Sequence, residues 1–312
     1  MDQVSNDQLI ADFKDDLVLR NLSASTIKNY PFFVKTFADF IAPDSLLTVN
    51  KSHLQRYLAH LRSKKLNRAS LQKYFTGLST FYEFLTYDEQ IDYNPVLPFR
   101  KHYFSREPNH DTSERRQCIS VDQARALIAR VLDPKERAVI MLLFKTGMRL
   151  HELSELDLKN VNFADQSIEI NETKKRSHNT VFYDDKTNET SIVLEKWLKQ
   201  RKSINHNNNP ALFIDRFGKR LSTVAIARIV EKHAIAAGLH DPASDRSRLQ
   251  DRFTTHCTRH ALTTWLRRAK MDERFVQELR GDKRKKTIDI YDHIDHDELK
   301  AEYCAHMPHL LT

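Results

Sequence analysis

Residues 146–185 have the sequence TGMRLHELSELDLKNVNFADQSIEINETKKRSHNTVFYDD, and this stretch decides the fold. Gly147 ends a helical pattern that comes before it, and residues 150–158 predict a short amphipathic helix. The segments SIEIN and TVFYDD lie on either side of a basic turn, which predicts a small antiparallel sheet. A small sheet is therefore expected among helices.

The rest of the chain favours helices. Gly and Pro are scarce, at 5 and 9 of 312 residues, which argues against a turn-rich β fold. Apolar residues recur at helical spacing over 27–41, after Ser25 and Thr26 as a helix cap, and over 71–85, after Ser70. Pro31 is expected to shorten or kink the first of these helices. The aromatic residues of both stripes are expected in a core, not as stacking platforms for bases.

The second part of the chain carries further helical patterns, and two domains are predicted. The helices are expected at 120–131, 135–145, 189–202, 223–237, 257–269 and 272–280, with a short amphipathic helix within 297–312. The helical pattern breaks between about 94 and 116, in a polar stretch that contains three prolines. We assign 1–105 to a helical domain, 106–116 to a linker and 117–312 to a second domain. The predicted fold class is mainly α with a small antiparallel β-sheet.

The composition of the chain restricts its expected binding partners and its expected location in the cell. A net charge of +8 favours a polyanionic partner without deciding the matter. Nothing approaches a run of about 18 apolar residues, so no membrane span is expected. The N-terminus is acidic and shows no signal-peptide core. We expect a cytoplasmic protein.

Cysteine and histidine usage predicts neither disulfides nor a metal. Cys118, Cys257 and Cys304 are odd in number and far apart. A helix would place His256 and His260 on one face, but no CxxC pair or HExxH motif accompanies them. Gly-rich phosphate loops and acidic metal clusters are also absent from the sequence. We therefore expect no cofactor and no metal.

Two segments carry arginines suited to a phosphate. Arg149 follows a glycine in TGMRLHELSEL, with Glu152 as a possible support for its side chain. Arginine suits a phosphate because its planar fork binds two oxygens and stays charged. In THCTRH, His256 and Arg259 are three residues apart, which puts both on one face of a helix. Taken alone, Arg149 is better explained as a surface arginine in a turn between helices, and a lone HxxR is a common and weak signal.

Two further positions complete the set. The basic turn contains Lys174 and Lys175, either of which could donate a proton, and Thr173-Lys174 favours the first. Tyr291 follows Gly281 by ten residues and lies about thirty residues after the HxxR segment. A lone tyrosine of this kind is usually structural. The order and spacing of the whole set make the functional interpretation stronger.

Together these segments resemble the tyrosine recombinase, or phage integrase, family over nearly the whole chain. The TG-R–E-L block is similar to the first arginine box of the family, HCTRH to its HxxR box, and the stretch from Gly281 to His293 to its nucleophile box. The lysine hairpin falls between the first two boxes, as in the family. The stretch RGD-x6-DIY, from Arg280 to Tyr291, is closer to archaeal than to bacterial integrases. The resemblance implies a helical, SAM-like core-binding domain that binds DNA, then a catalytic domain.

The resemblance also implies roles for five catalytic residues. Arg149 and Arg259 would clamp the scissile phosphate, and His256 would assist proton transfer. Lys174 would protonate the leaving 5′ oxygen. Tyr291 would form the 3′-phosphotyrosyl bond, without metal or nucleotide. The implied partners are double-stranded DNA recombination sites and, in the synaptic complex, three further copies of the chain in a homotetramer, associated with the nucleoid.

One position departs from the family. Asp282 stands where the family usually has a histidine. We expect its carboxylate to turn away from the phosphate and pair with Arg280, Lys283 or Arg284, or to cap the next helix. Asp282 leaves open a DNA-binding regulator that has lost cleavage, and the shared nucleophile chemistry leaves open an enzyme like the type IB topoisomerases.

Overall fold

The computed structural model of the chain describes residues 4–104, 117–170, 180–184, 187–244, 249–282 and 294–311. These residues form two compact units, one within Met1–Ser113 and the other within Glu114–Thr312. The predicted linker, 106–116, lies outside the described residues, so the exact domain limits stay a prediction. No helix in the described ranges is both long enough and apolar enough to cross a membrane.

The first unit is helical throughout its described part. Its helices are α1 (Asn6–Leu19), α2 (Ala24–Ile41), α3 (Lys51–Ser63), α4 (Arg68–Tyr87) and α5 (Val96–Phe104), with a 3-10 turn at Leu46–Thr48. Neither α1 nor α3 was predicted from the sequence.

Aromatic side chains form the core of this unit, as predicted. Phe37, Phe75 and Phe81 have no exposed surface, and Tyr82 is buried beside them. The Tyr82 hydroxyl donates a hydrogen bond of 2.9 Å to the carbonyl of Leu46, which satisfies its one polar atom. These rings therefore hold the unit together and are not available to stack on bases.

The predicted start of two helices was wrong. Ser23 caps α2 by accepting from the amide of Thr26, and Asn67 caps α4 by accepting from the amide of Ser70. A cap residue lies two or three residues before the amide that it satisfies, and the predicted cap residues instead lie inside the first turn of their helices. Pro31 also does not end α2, which continues to Ile41. Proline removes one helical hydrogen bond, and burial of the residues that follow offsets that loss.

The linker does not begin at Asn94, as the break in pattern suggested. Helix α5 packs on the first unit through Val96, which is fully buried, and Phe99. Asn94 caps it by accepting hydrogen bonds from the amides of Val96 and Leu97, at 2.9 and 3.3 Å. The prolines at 95 and 98 lie at the start of this helix, where a missing amide hydrogen costs little.

The second unit surrounds a short sheet with helices. Its elements are α6 (Val121–Ala129), α7 (Pro134–Thr146), α8 (Leu150–Glu155), β1 (Val161–Asn162), β2 (Ser167–Glu169), β3 (Thr180–Phe182), α9 (Glu189–Ile204), α10 (Thr223–Ala236), α11 (Thr255–Arg268), α12 (Glu273–Arg280) and α13 (His296–His306). Helix α8 is shorter than predicted, because a 3-10 turn at Leu158–Asn160 follows it.

The sheet is antiparallel, with the order β1-β2-β3. Ile168 of β2 pairs with Val181 of β3, and both side chains are buried. The prediction of a mainly helical fold with a small antiparallel sheet is confirmed. The turn between β2 and β3, which contains Lys174, lies outside the described residues.

Helix α7 lies at the centre of the second unit. Every residue from Ala138 to Thr146 is buried, and the helix packs on α9 and α11. Gly147 ends it with a φ of +58°, a left-handed conformation that glycine adopts without steric cost. The chain can therefore turn sharply at Gly147 and lead directly into Arg149.

The C-terminal segment packs on its own unit. Leu299 and Tyr303 of α13 are buried, and the Tyr303 hydroxyl donates to the carbonyl of Lys145 at 3.1 Å. Beyond α13, the carboxylate of Glu189 accepts hydrogen bonds from the amides of Leu310 and Leu311 and forms a buried ion pair with Lys145. Side chains of α7 and α9 thus hold the end of the chain.

Candidate active site

Arg149 is held in place by Glu152. It is the N-cap residue of α8, and its main-chain amide donates to Glu152 Oε2 at 2.6 Å. Its guanidinium donates to Glu152 Oε1 at 2.9 Å. The Glu152 side chain is fully buried, whereas that of Arg149 is 25% exposed. Both carboxylate oxygens of Glu152 accept hydrogen bonds from Arg149. These bonds fix the Arg149 side chain and leave the rest of its guanidinium accessible.

Arg259 is held by two helix ends. It lies on α11 and is almost fully buried. Its Nη1 donates to the carbonyl of Gly147 at 2.9 Å, and its Nη2 donates to the carbonyl of Arg280, the last residue of α12, at 2.7 Å. Helix C-termini carry partial negative charge, so both interactions favour the cation. The segments of the two predicted arginine boxes are thereby joined directly.

The carboxylate of Asp282 lies between the arginines. Its Oδ1 is 3.0 Å from Arg259 Nη2 and 3.6 Å from Arg149 Nη2. Its Oδ2 is 2.7 Å from Arg280 Nε. This last contact is an ion pair without hydrogen-bond geometry, since the buried Nε of Arg280 has no hydrogen-bond partner among the described residues.

The expected pairing of Asp282 with Arg280 is confirmed, its contacts with Arg149 and Arg259 were not expected, and its turning away from a bound phosphate stays a prediction. The physical reason is local. Gly281 ends α12 with a φ of +61°, which directs the chain back towards α11. Guanidinium groups converge there, and the nearest carboxylate relieves their mutual repulsion. The sequence gives no sign of this, because the three arginines come from three separate segments.

His256 lies one turn before Arg259 on α11, in the first turn of that helix. Its side chain is exposed, and its ring centroid is 4.8 Å from that of His260. The structure thus places His256 on the same helix as Arg259, near the helix end where the peptide dipole favours an anion.

Two predicted site residues, Lys174 and Tyr291, lie outside the described residues, as does Lys175. Of the other predicted residues, the structure brings Arg149 and Arg259 together and puts His256 beside them in sequence on α11. The described part of the chain contains no cluster of three or more metal-ligating side chains. Sequence reasoning missed the Gly147 carbonyl, which no side-chain pattern reveals, and the presence of Arg280 at the site.

The five charged groups give the site a positive balance. Arg149, Arg259 and Arg280 contribute three positive charges, and Glu152 and Asp282 contribute two negative charges, for a formal sum of +1. One carboxylate oxygen is in contact with both Arg149 and Arg259. The two guanidiniums therefore face a single position of the size of one oxyanion, a geometry suited to binding a phosphate.

The comparison with known families fits this geometry. The Phage integrase family matches residues 117–298, which is more than half of the chain, and the phage integrase N-terminal SAM-like domain matches residues 9–92. The chain belongs to the phage integrase family. The resemblance predicted from the sequence is thereby confirmed, whereas the archaeal wording of the last box stays a prediction.

Relatives in the family cover almost the whole chain. Tyrosine recombinase XerC of Shewanella sp. (strain ANA-3) is 28% identical over 289 residues, which is 91% of this chain and 89% of the relative. Tyrosine recombinase XerC of Herpetosiphon aurantiacus is 27% identical over 300 residues, or 93% and 92% of the two chains. The solved structure of a lambda integrase tetramer bound to a Holliday junction matches with a TM-score of 0.69 at 16% identity, over 94% of this chain and 78% of that one. This last likeness concerns the fold.

Proposed function

We propose that this chain is a tyrosine-type site-specific DNA recombinase, an integrase that cleaves and rejoins double-stranded DNA through a 3′-phosphotyrosyl intermediate. One observation carries the proposal. Arg149 and Arg259, separated by 110 positions in the sequence, both contact the same oxygen of Asp282. An oxyanion site with two arginines is what charge stabilisation of a scissile phosphate requires. Membership of the phage integrase family supports the same activity.

The two arginines bind the non-bridging oxygens of the scissile phosphate in this proposal. Tyr291 attacks phosphorus, forms the phosphotyrosyl bond with the 3′ side and releases the 5′ oxygen. Lys174 gives a proton to that oxygen, and His256 assists proton transfer at the nucleophile. Attack by the freed 5′ hydroxyl of a partner strand then reverses the step. Bond energy is conserved in the intermediate, so no nucleotide is consumed.

The arginines matter most because tyrosine is a weak nucleophile at neutral pH. With a pKa near 10, only about 0.1% of a free tyrosine is phenolate at pH 7. Nearby positive charge lowers the pKa of such a group and stabilises the pentavalent transition state. General acid and base help adds about 10²–10⁴-fold.

The proposal assigns the first unit to binding of the DNA core site and the second unit to catalysis. It also makes the active species on DNA a homotetramer associated with the nucleoid in the cytoplasm. The lambda integrase of similar fold was solved as a tetramer on a Holliday junction, which supports this assembly. A tetramer supplies the four cleavages that exchange of two duplexes needs.

Replacement of Tyr291 by phenylalanine tests the nucleophile. The variant keeps the ring and loses the hydroxyl, so we expect it to bind DNA and to form no covalent adduct on a nicked suicide substrate in a denaturing gel. Tyr183→Phe is the control, because burial raises the pKa of Tyr183 to about 12 and makes that phenol a poor nucleophile. This control should form the adduct at the wild-type rate. A normal amount of adduct with Tyr291→Phe would disprove the assignment.

Two assays separate the proposal from its alternatives. A recombinase exchanges strands between two cognate sites on one plasmid and gives products of new size. A type IB topoisomerase relaxes a supercoiled plasmid that carries no cognate site. A DNA-binding regulator without cleavage does neither and forms no adduct on the suicide substrate.

A further inference from the structure

Asp282 is bound as an anion would be bound at this site. Its Oδ1 lies 3.0 Å from Arg259 and 3.6 Å from Arg149, and its Oδ2 lies 2.7 Å from Arg280. A carboxylate and a phosphate present their oxygens to arginine in similar ways. The side chain is one-third exposed, so it can be reached from solvent.

A phosphodiester and this carboxylate cannot share the site at low cost. The phosphate needs contacts with the guanidinium groups of Arg149 and Arg259, and Asp282 already makes those contacts. Two negative charges about 4 Å apart also repel each other strongly where water is partly excluded. The anion from the DNA must therefore compete with the anion from the chain.

We propose that Asp282 is an internal counter-anion, which occupies the phosphate position between Arg149 and Arg259 in the DNA-free protein and leaves it when a phosphodiester binds. The carboxylate keeps the two guanidiniums at the spacing of one oxyanion, and it lowers the affinity of the site for free phosphate. Discrimination follows, because a phosphate held by the whole DNA interface can displace Asp282 and a small inorganic anion cannot do so easily.

This inference rests on the proposed function, since it takes the arginines as the phosphate clamp. Its test does not need activity. Inorganic phosphate is titrated into the full chain at constant ionic strength, and the unfolding midpoint is followed by tryptophan fluorescence. The only two tryptophans, Trp197 and Trp265, belong to the second unit, so the signal reports on the unit that holds the site. The dependence of the midpoint on phosphate gives an apparent Kd.

Asp282→Asn removes the charge and keeps the shape of the side chain. We expect it to bind inorganic phosphate at least about ten-fold more tightly than the wild type, because the local sum of charges rises from +1 to +2. Asp282→Ala should show the same gain in affinity for inorganic phosphate. This second variant keeps the test informative if Asp282→Asn folds poorly. Each variant is compared with itself without phosphate, so a change in basal stability does not enter the result.

Two further variants locate the effect. Asp157→Asn is the matched control, because it also removes an acidic partner of an arginine, Arg220, and raises the net charge by the same amount. It should bind phosphate as the wild type does. Arg149→Ala combined with Asp282→Asn should lose the gain, because one half of the clamp is missing.

The outcomes separate this inference from the proposed function. Unchanged or weaker phosphate binding in both Asp282 variants would overturn the inference and make the residue a structural tie, even if the wild type forms the covalent DNA adduct. Tighter binding in these variants, together with no adduct from the wild type, would support the counter-anion and remove the recombinase proposal.

Discussion

The carboxylate of Glu152 accepts two hydrogen bonds from Arg149, one from its main-chain amide at 2.6 Å and one from its guanidinium at 2.9 Å. Backbone and side chain of the arginine are thus fixed by a single buried group. The arrangement begins α8 and aims the arginine at the same time. A change at Glu152 should therefore affect both stability and cleavage.

Glu152→Gln should weaken this support while preserving its shape. We expect a loss of about 1.5–3 kcal/mol in the free energy of unfolding, because hydrogen bonds to charged groups are lost or reversed. Cleavage should fall by about 10–100-fold through misplacement of Arg149. Urea unfolding and single-turnover adduct formation measure the two effects.

Glu155→Gln, on the exposed side of the same helix, should change stability by less than about 0.5 kcal/mol. Equal effects of the two variants would contradict this role for Glu152.

Gly147→Ala should disturb both arginines. A Cβ atom there would lie 2.6 Å from Cδ2 of Leu262, which is itself buried, and the residue has a φ of +58°. The left-handed backbone costs about 1–2 kcal/mol for alanine, and overpacking adds about 1–3 kcal/mol. We expect urea unfolding to show a loss of stability equal to the sum of these two costs, and we expect the rate of DNA cleavage to fall as well.

Gly238→Ala separates the two causes of that loss. Gly238 has a φ of +68°, but a Cβ atom there would meet nothing within 4 Å. Only the backbone cost of about 1–2 kcal/mol should appear, and cleavage should stay at the wild-type rate. If both glycine variants lost the same stability and neither lost cleavage, the steric link between Gly147 and the site would be refuted.

Lys174→Met should slow release of the 5′ oxygen by about 10²–10⁴-fold, because the residue proposed as the general acid is lost. A substrate with sulfur at the bridging 5′ position should restore the rate, since a thiolate leaves without a proton. Lys175→Met should cleave both substrates nearly as the wild type does. The opposite pattern would transfer the role to Lys175.

Glu189→Gln should be strongly destabilising, because it leaves the buried ammonium of Lys145 without its carboxylate. Loss of one partner of a buried pair costs about 3–5 kcal/mol. Replacing both residues by methionine should recover only part of that loss, because the amides of Leu310 and Leu311 then lack their acceptor. Glu298→Gln, which breaks the exposed pair with Arg274, should cost no more than about 1 kcal/mol. Urea unfolding followed by tryptophan fluorescence compares the three variants. A small loss for Glu189→Gln would show that the pair does not hold the C-terminal segment.

The sequence predicts elements well where the apolar period is strong and the caps are clear. Helix α7 is an example, with Pro134 at its start and Gly147 at its end. Helix α3 has the apolar stripe Leu54, Leu58 and Leu61 at helical spacing, so the sequence contains the signal for this helix as well. Helix α5 was missed for a physical reason, because two prolines usually mark a break and here one lies just before the helix and the other in its first turn.

The site is predictable in its residue types and less so in its contacts. Arg149 and Arg259 follow from local motifs, and the structure joins them. The position of Asp282 depends on how α11 and α12 meet, which no local pattern encodes. A carboxylate with several basic neighbours in the sequence pairs with those that the tertiary fold brings nearest, so the choice could not be made beforehand.

The two carbonyl groups that hold Arg259 affect how the results of a genetic screen for inactive variants should be interpreted. Selection for inactive variants would recover substitutions at 259 both because the cation proposed to bind the scissile phosphate is gone and because the ends of α7 and α12 are no longer tied together. Lysine would not rescue it, since a single ammonium lacks the planar fork that spans both carbonyls. Among the described residues, the main-chain hydrogen bonds of Arg149 stay within its own helix turn, so Arg149 would be the cleaner position from which to infer contact with DNA. A mutational map would therefore overstate the contribution of Arg259 to phosphate binding relative to that of Arg149, because part of its effect would come from lost structure.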